Sequence, residues 1–247
     1  MSSLLIPISP LAEAKSRLRE VFTREQIENL IISMVKDLGN ILSNTDCFKN
    51  ILVYCHNNKI LELVQNFGLI GIKEKLTSPR KSFDEVINDI NSIAIEEYHA
   101  TQTIITFLDT ILISEKNFKE INSLLQENQI VICPAINSAG ISVLGRKPPN
   151  LIPTFFSDPK TPSLIALINE AKKRGISKIE IYDSFRAGFD IDTKKDLILA
   201  FEYLKILNLT NTNLYKFLAN NLNLRIKKSN NNNREFRIKK KLEIMDI

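Results

Sequence analysis

The chain has 247 residues, 44% of them hydrophobic and 25% charged, with a formal net charge of +5. That length and apolar content suit one substantial α/β core better than two independent domains. No positively flanked signal segment opens the chain and no apolar run has the length to cross a bilayer, so a membrane role is not supported and the cytoplasm is the expected location.

The charge is unevenly placed. Residues 225–247 hold eight Lys and Arg against three carboxylates, so this tail carries the whole formal excess and residues 1–224 are neutral. Cys47, Cys55 and Cys133 are widely separated, and His56 and His99 are the only histidines. This disfavours a Cys/His zinc site, a histidine-based triad and a disulfide framework.

Leu4–Ile8 reads as a strand that breaks at Ser9-Pro10. Lys15-Ser16-Arg17 follows; two cations and a hydroxyl after a strand either surround phosphate groups or sit on the surface as ordinary polar residues. Thr23-x-x-Gln26 has the form of a capping box and opens an apolar stripe running from Ile27 to Leu42, the packing face of a helix. Ile51–Cys55 reads as a second strand, Lys59–Phe67 as a helix stopped by Gly68, and Leu69–Ile72 as a short third strand. The polar stretch Lys73–Lys81, containing Pro79, reads as a loop with its cations exposed.

Ser82-x-x-Glu85 is another capping box, followed by Val86, Ile87, Ile90, Ile93 and Ala94 at helical spacing. Thr103–Asp109 is an apolar run ending in a carboxylate. The downstream end of a buried strand in an open α/β sheet is where a ligand crevice forms, which makes Asp109 a candidate metal ligand; aspartate is equally at home there as a turn residue. Helix Ser114–Gln126 and strand Gln129–Cys133 continue the alternation, which favours a mostly parallel, doubly wound sheet with helices on both faces.

Gly140–Leu144 reads as a further strand, and the prolines at 148, 149 and 153 mark an irregular connection. Ser163 either caps the helix that runs to Ala171 or presents its backbone end to an anion. After the short strand at Ile179 comes Asp190-Ile191-Asp192-Thr193, with Thr193-x-x-Asp196 opening the helix Leu197–Leu207. Asp190 and Asp192 either share a face toward a metal or face solvent ahead of the helix. Residues 1–208 are thus expected to form the α/β domain. Residues 209–247 form a basic, Asn-rich appendage, either a small hairpin of Leu222–Ile226 with Phe236–Ile238 or a flexible segment. Sequence-specific nucleic-acid recognition is not supported, since stacking aromatics are scarce there.

Taken together, Ile6-Pro7-Ile8-Ser9-Pro10-Leu11-Ala12-Glu13-Ala14-Lys15-Ser16-Arg17-Leu18 and Gly188-Phe189-Asp190-Ile191-Asp192-Thr193-Lys194-Lys195-Asp196-Leu197 resemble the two fingerprints of the 2-phospho-L-lactate guanylyltransferase family of coenzyme F(420) biosynthesis. The resemblance extends over roughly residues 3–205. It implies a nucleotidyltransferase-like α/β fold of the nucleotide-diphospho-sugar transferase type, GTP as substrate, Mg2+ as cofactor, 2-phospho-L-lactate or a related phosphorylated acid as acceptor, and homodimer formation. On that reading Lys15 and Arg17 neutralise phosphate oxygens, Asp109 and Asp190 share the metal, and Asp192 is a weaker third ligand. Ser16, Gly140, Ser142 and Ser163 are the remaining nucleotide-binding candidates. The sequence departs from the family pattern around Asp109, at Ser138–Ser142 and at Leu167, where the family carries histidine. These departures leave two alternatives: transfer to another phosphorylated acid or phosphosugar, or an inactive nucleotide-binding homologue.

Overall fold

The computed structural model describes residues 1–10, 15–228 and 234–240, the last seven and 223–228 by their backbone alone. Residues 11–14 of the opening fingerprint and 229–233 and 241–247 of the basic tail lie outside the described residues. Two compact units are formed, one from Met1–Pro10 and Leu38–Asp190, the other from Leu11–Asp37 and Ile191–Ile247. Residues 209–247, set apart in the sequence by composition, fall in the second unit together with 11–37 and 191–208.

The first unit is built on a seven-stranded sheet of β1 (Ser2–Ile8), β2 (Asn50–Cys55), β3 (Ile70–Lys73), β4 (Gln102–Thr106), β5 (Ile130–Pro134), β6 (Ile141–Arg146) and β7 (Ile179–Ile181). Their order is β3-β2-β1-β4-β6-β5-β7. All pairings are parallel except those of β6, which runs antiparallel to both β4 and β5. β1, β2, β4 and β5 are almost wholly buried along their length, as strands covered on both faces must be.

The connecting helices are α2 (Asn58–Gln65), α3 (Phe83–Glu96), α4 (Glu115–Glu127) and α5 (Ser163–Lys173), with the single turn α6 (Phe185–Gly188) after β7. Ile87, Ile90 and Ala94 of α3 and Leu167 and Ala171 of α5 join Leu5, Leu52, Ile105, Ile132 and Leu144 in one core cluster. Strand residues of opposite parity face the other helices: Gly71 lies against Leu61 of α2 and Gly145 against Leu125 of α4. Helices therefore cover both faces, and the sheet is doubly wound. Capping boxes at Ser82 and Ser114 start α3 and α4 at the carboxyl edge of the sheet.

The second unit contains most of α1 (Arg24–Leu42), together with α7 (Lys194–Ile206), α8 (Asn213–Asn221) and an antiparallel hairpin of β8 (Leu222–Lys228) with β9 (Arg234–Lys240). Thr23 and Gln26 form the reciprocal cap of α1, with bonds of 3.0 and 3.2 Å. Helix α8 was not legible from apolar spacing, because only Leu214 and Leu218 of its residues are buried. Its first turn is held instead by its own cap Thr212 and by the Asp37 carboxylate, which accepts from the Asn213 and Leu214 amides and from Asn213 Nδ2, each at 2.8 Å. Phe22 packs on Phe217, 5.5 Å away, and Phe201 stacks on Tyr215, 5.0 Å away, within this unit. Among the described residues no helix is long and apolar enough to cross a membrane.

Candidate active site

In an open α/β sheet the carboxyl ends of the parallel strands leave a crevice, because the following loops turn away to opposite faces. Asp109 lies at that edge. Strand β4 stops at Thr106, and residues 107–113 turn back on themselves, Thr110 N donating to Phe107 O at 3.3 Å and Ile111 N to Asp109 O at 2.9 Å. Leu112 and Ile113 anchor the turn by complete burial, leaving Asp109 half-exposed.

Asp190 reaches the same edge by a different route. Ser184 caps α6 by accepting from Ala187 N at 3.3 Å, and Asn117 Nδ2, at the start of α4, steadies that hydroxyl at 3.2 Å and the Tyr182 hydroxyl at 2.9 Å. The Gly188 carbonyl, two residues before Asp190, accepts from Ile136 N at 2.9 Å and from Ser142 Oγ at 3.3 Å. A Cβ at Gly188 would stand 2.6 Å from the Pro134 carbonyl oxygen, so only glycine allows this approach. Arg186 Nε donates to Leu112 O at 2.8 Å and ties the segment bearing Asp190 to the turn bearing Asp109.

The other candidates of this unit gather around the same loops. Gly140 N donates to Ser138 Oγ at 3.1 Å and Gly140 O accepts from Ala135 N at 3.1 Å, closing the 135–140 turn. Leu164 N, in the first turn of α5, donates to Ala139 O at 3.3 Å and so brings Ser163 to that turn. Ser142 is 2% exposed, and its hydroxyl orients Gly188. Burial pushes the nearby Cys133 thiol up to about 12, which removes it as a thiolate nucleophile at neutral pH. The Arg186 and Asn117 contacts carry no signal in the sequence pattern, since each joins positions more than 60 residues apart.

Lys15, Ser16, Arg17 and Asp192 belong to the second unit. Lys15 has φ 52° and ψ 40°, the left-handed region, and starts a single 3-10 turn over Ser16–Leu18. A non-glycine residue there stores about 1–2 kcal/mol, a strain that clusters at functional positions. The Lys15 ammonium donates to Ile191 O and lies 3.1 Å from Asp192 Oδ1, the two side chains being 13% and 50% exposed. Ser16 and Arg17 are exposed. The capping box of Thr193 and Asp196 fixes the start of α7 just beyond, with Thr193 N donating to Asp196 Oδ2 at 2.8 Å.

Comparison with known proteins agrees with this architecture. A protein structure described as a nucleotide-diphospho-sugar transferase from Desulfovibrio desulfuricans G20 superimposes with a TM-score of 0.70 at 14% identity, covering 88% of this chain and 94% of the other. A 4-diphosphocytidyl-2C-methyl-D-erythritol synthase from Anaerococcus prevotii does so with a TM-score of 0.58 at 11% identity, covering 83% and 96%. These establish the fold. In sequence, the 2-phospho-L-lactate guanylyltransferase of Methanocaldococcus sp. (strain FS406-22) is 30% identical over 195 residues, 78% of each chain. That of Methanosphaera stadtmanae is 27% identical over 217 residues, 87% of this chain and 88% of the relative. The family model described as "Guanylyl transferase CofC like" matches residues 2–241, and the chain belongs to that family.

Proposed function

We propose that this protein transfers GMP from GTP to 2-phospho-L-lactate, releasing pyrophosphate, in coenzyme F(420) biosynthesis. The observation that carries the reading is the pair of aspartate-bearing segments joined at the carboxyl edge by the Arg186 to Leu112 bond, in a chain of the guanylyl transferase family. In the transfer, an oxygen of the acceptor phosphate forms the new bond to the GTP α-phosphorus while the bond from that phosphorus to the bridging oxygen breaks. No protein nucleophile is needed. The catalytic work is positioning and charge neutralisation.

Two carboxylates on neighbouring turns at the carboxyl edge are the kind of donor set that Mg2+ takes, since it completes its shell with phosphate oxygens and water. Asp109 and Asp190 would hold it, and the bound ion would neutralise charge on the reacting phosphates. Asp192 is the weaker third candidate, being engaged with Lys15. Lys15, Ser16 and Arg17 are assigned to phosphate oxygens as donors, and the Gly140 and Ser163 turns to the nucleotide or acceptor. Cytoplasmic residence and homodimer formation complete the reading, the latter to be tested by light scattering.

The test is turnover with GTP, Mg2+ and 2-phospho-L-lactate, following pyrophosphate and the guanylylated acid by mass spectrometry. Both products are expected in equal amounts, and Asp109→Asn and Asp190→Asn should each lower turnover by about a hundredfold or more while the fold persists. Normal turnover in both variants would sink the metal assignment. A second reading, transfer to a different phosphorylated acid, is favoured by Leu167, which is fully buried in the core where the family pattern has histidine. It predicts GTP binding without turnover of phospholactate.

A further inference from the structure

Glu74 stands one residue beyond β3, at the carboxyl edge of the sheet. Its amide donates to Cys55 O at 3.0 Å and its carbonyl lies 3.3 Å from His56 Nδ1, so the backbone is fixed on both sides. The residue is only 7% exposed. Yet among the described residues no donor reaches its carboxylate. The neighbouring cations do not fill that role: Lys81 is paired with Asp89, which also accepts from Tyr54 Oη at 3.3 Å. Burial raises the Glu74 carboxyl above its ordinary value; Arg80, His56 and Lys81 oppose that through space, and Asp89 adds to it.

A largely buried carboxylate whose oxygens keep an opening to solvent, with no donor from the described residues, is placed to receive the donors of a ligand. An ionised carboxylate is an acceptor with two oxygens side by side, so its complement is a pair of adjacent N–H donors. Guanine offers that pair on its N1 and exocyclic N2. Adenine presents an unprotonated N1 at the corresponding place, which a carboxylate repels. Strand β3 lies three strands from β4, ~14 Å at ordinary strand spacing, on the scale of a nucleoside triphosphate reaching from its base to the phosphates near Asp109.

We infer that Glu74 is the base-selecting residue of this protein, its carboxylate receiving the N1–H and N2–H donors of guanine. The inference rests on the guanylyl-transfer reading, because it takes GTP as the nucleotide. A site built to hydrogen-bond a nucleobase discriminates strongly against analogues that leave its polar group unpaired.

The experiment measures binding of GTP, ITP, ATP and 2′-deoxyGTP by calorimetry with Mg2+ and without acceptor, for the full chain and its Glu74→Ala and Glu74→Gln variants. ITP lacks only the exocyclic amine. The unmodified chain should prefer GTP to ITP by about tenfold or more, the worth of one charge-assisted hydrogen bond. In Glu74→Ala that ratio should fall to near one, while the ratio of GTP to 2′-deoxyGTP stays that of the unmodified chain. Glu74→Gln, whose carboxamide can both donate and accept, should gain affinity for ATP relative to the unmodified chain. Because no donor among the described residues reaches the carboxylate, neither variant should lower the unfolding midpoint, whereas a structural role would. A GTP to ITP ratio unchanged in Glu74→Ala overturns the inference, as does a loss confined to the distinction between GTP and 2′-deoxyGTP, which would assign the carboxylate to the ribose. Failure of the unmodified chain to bind any guanine nucleotide would instead strike the guanylyl-transfer reading itself.

Discussion

Gly188→Ala probes whether the close approach of α6 to the end of β5 sets the position of Asp190. The added Cβ would meet the Pro134 carbonyl oxygen at 2.6 Å and Ile136 Cγ1 at 3.2 Å. An ordinary C···O contact is ~3.3–3.6 Å, so the two backbones must part by ~0.7–1 Å. The oxygen is main chain and cannot swing aside as a side chain would. Parting them stretches both bonds to the Gly188 carbonyl, from Ile136 N and from Ser142 Oγ. Overpacking of about 1–3 kcal/mol, together with two weakened bonds of about 0.5–1.5 kcal/mol each, gives an expected destabilisation of about 2–4 kcal/mol, since relaxation relieves part of the sum. Asp190 moves with its segment, and a shift near 1 Å at a reacting group lowers turnover by about a hundredfold. Urea unfolding measures the first effect, and pyrophosphate release by fully folded protein the second. A variant that unfolds at the same urea concentration and turns over normally would refute the packing argument. Destabilisation with normal turnover would refute the link to Asp190 alone.

Asp37→Ala removes the acceptor of three bonds at the start of α8 and should lower stability by about 1–2 kcal/mol, read from the urea midpoint, with Asp37→Asn keeping part of the loss at bay. Arg186→Ala releases the turn of Asp109 from the segment of Asp190; turnover should fall about tenfold at a cost of only about 1 kcal/mol in stability, the two separated by assaying well below the unfolding midpoint. Burial raises the Glu74 carboxyl above its ordinary value of 4.5, so the fold holds that proton more tightly than the unfolded chain does. The associated stability is present below the ordinary value and lost as the pH rises through the raised one. Glu74→Gln should therefore stabilise the protein at pH 7, and the gain should shrink as the pH falls toward 4.5, which thermal unfolding across that range would check.

Local order was determined by the sequence wherever a short-range rule acts. The capping boxes at Thr23, Ser82 and Thr193 each bond a side chain to a backbone three residues away, so the spacing alone starts α1, α3 and α7. Apolar runs of strand length, separated by amphipathic helices, specify a doubly wound sheet because each strand must be covered on both faces. Asp109 and Asp190 were legible as carboxylates beyond strands or inside a fingerprint. Other features required the tertiary structure. The strand order and the reversal of β6 depend on pairings between segments far apart in the chain, which no local period encodes. Helix α8 has too narrow an apolar face to announce itself, and its start is held both by its own cap Thr212 and by Asp37, 176 positions before Asn213. Glu74 sits in a polar stretch that reads as exposed loop, and only the fold buries most of the residue. A side chain's type and spacing are written locally, whereas desolvation and partners are set by whatever the chain folds against it.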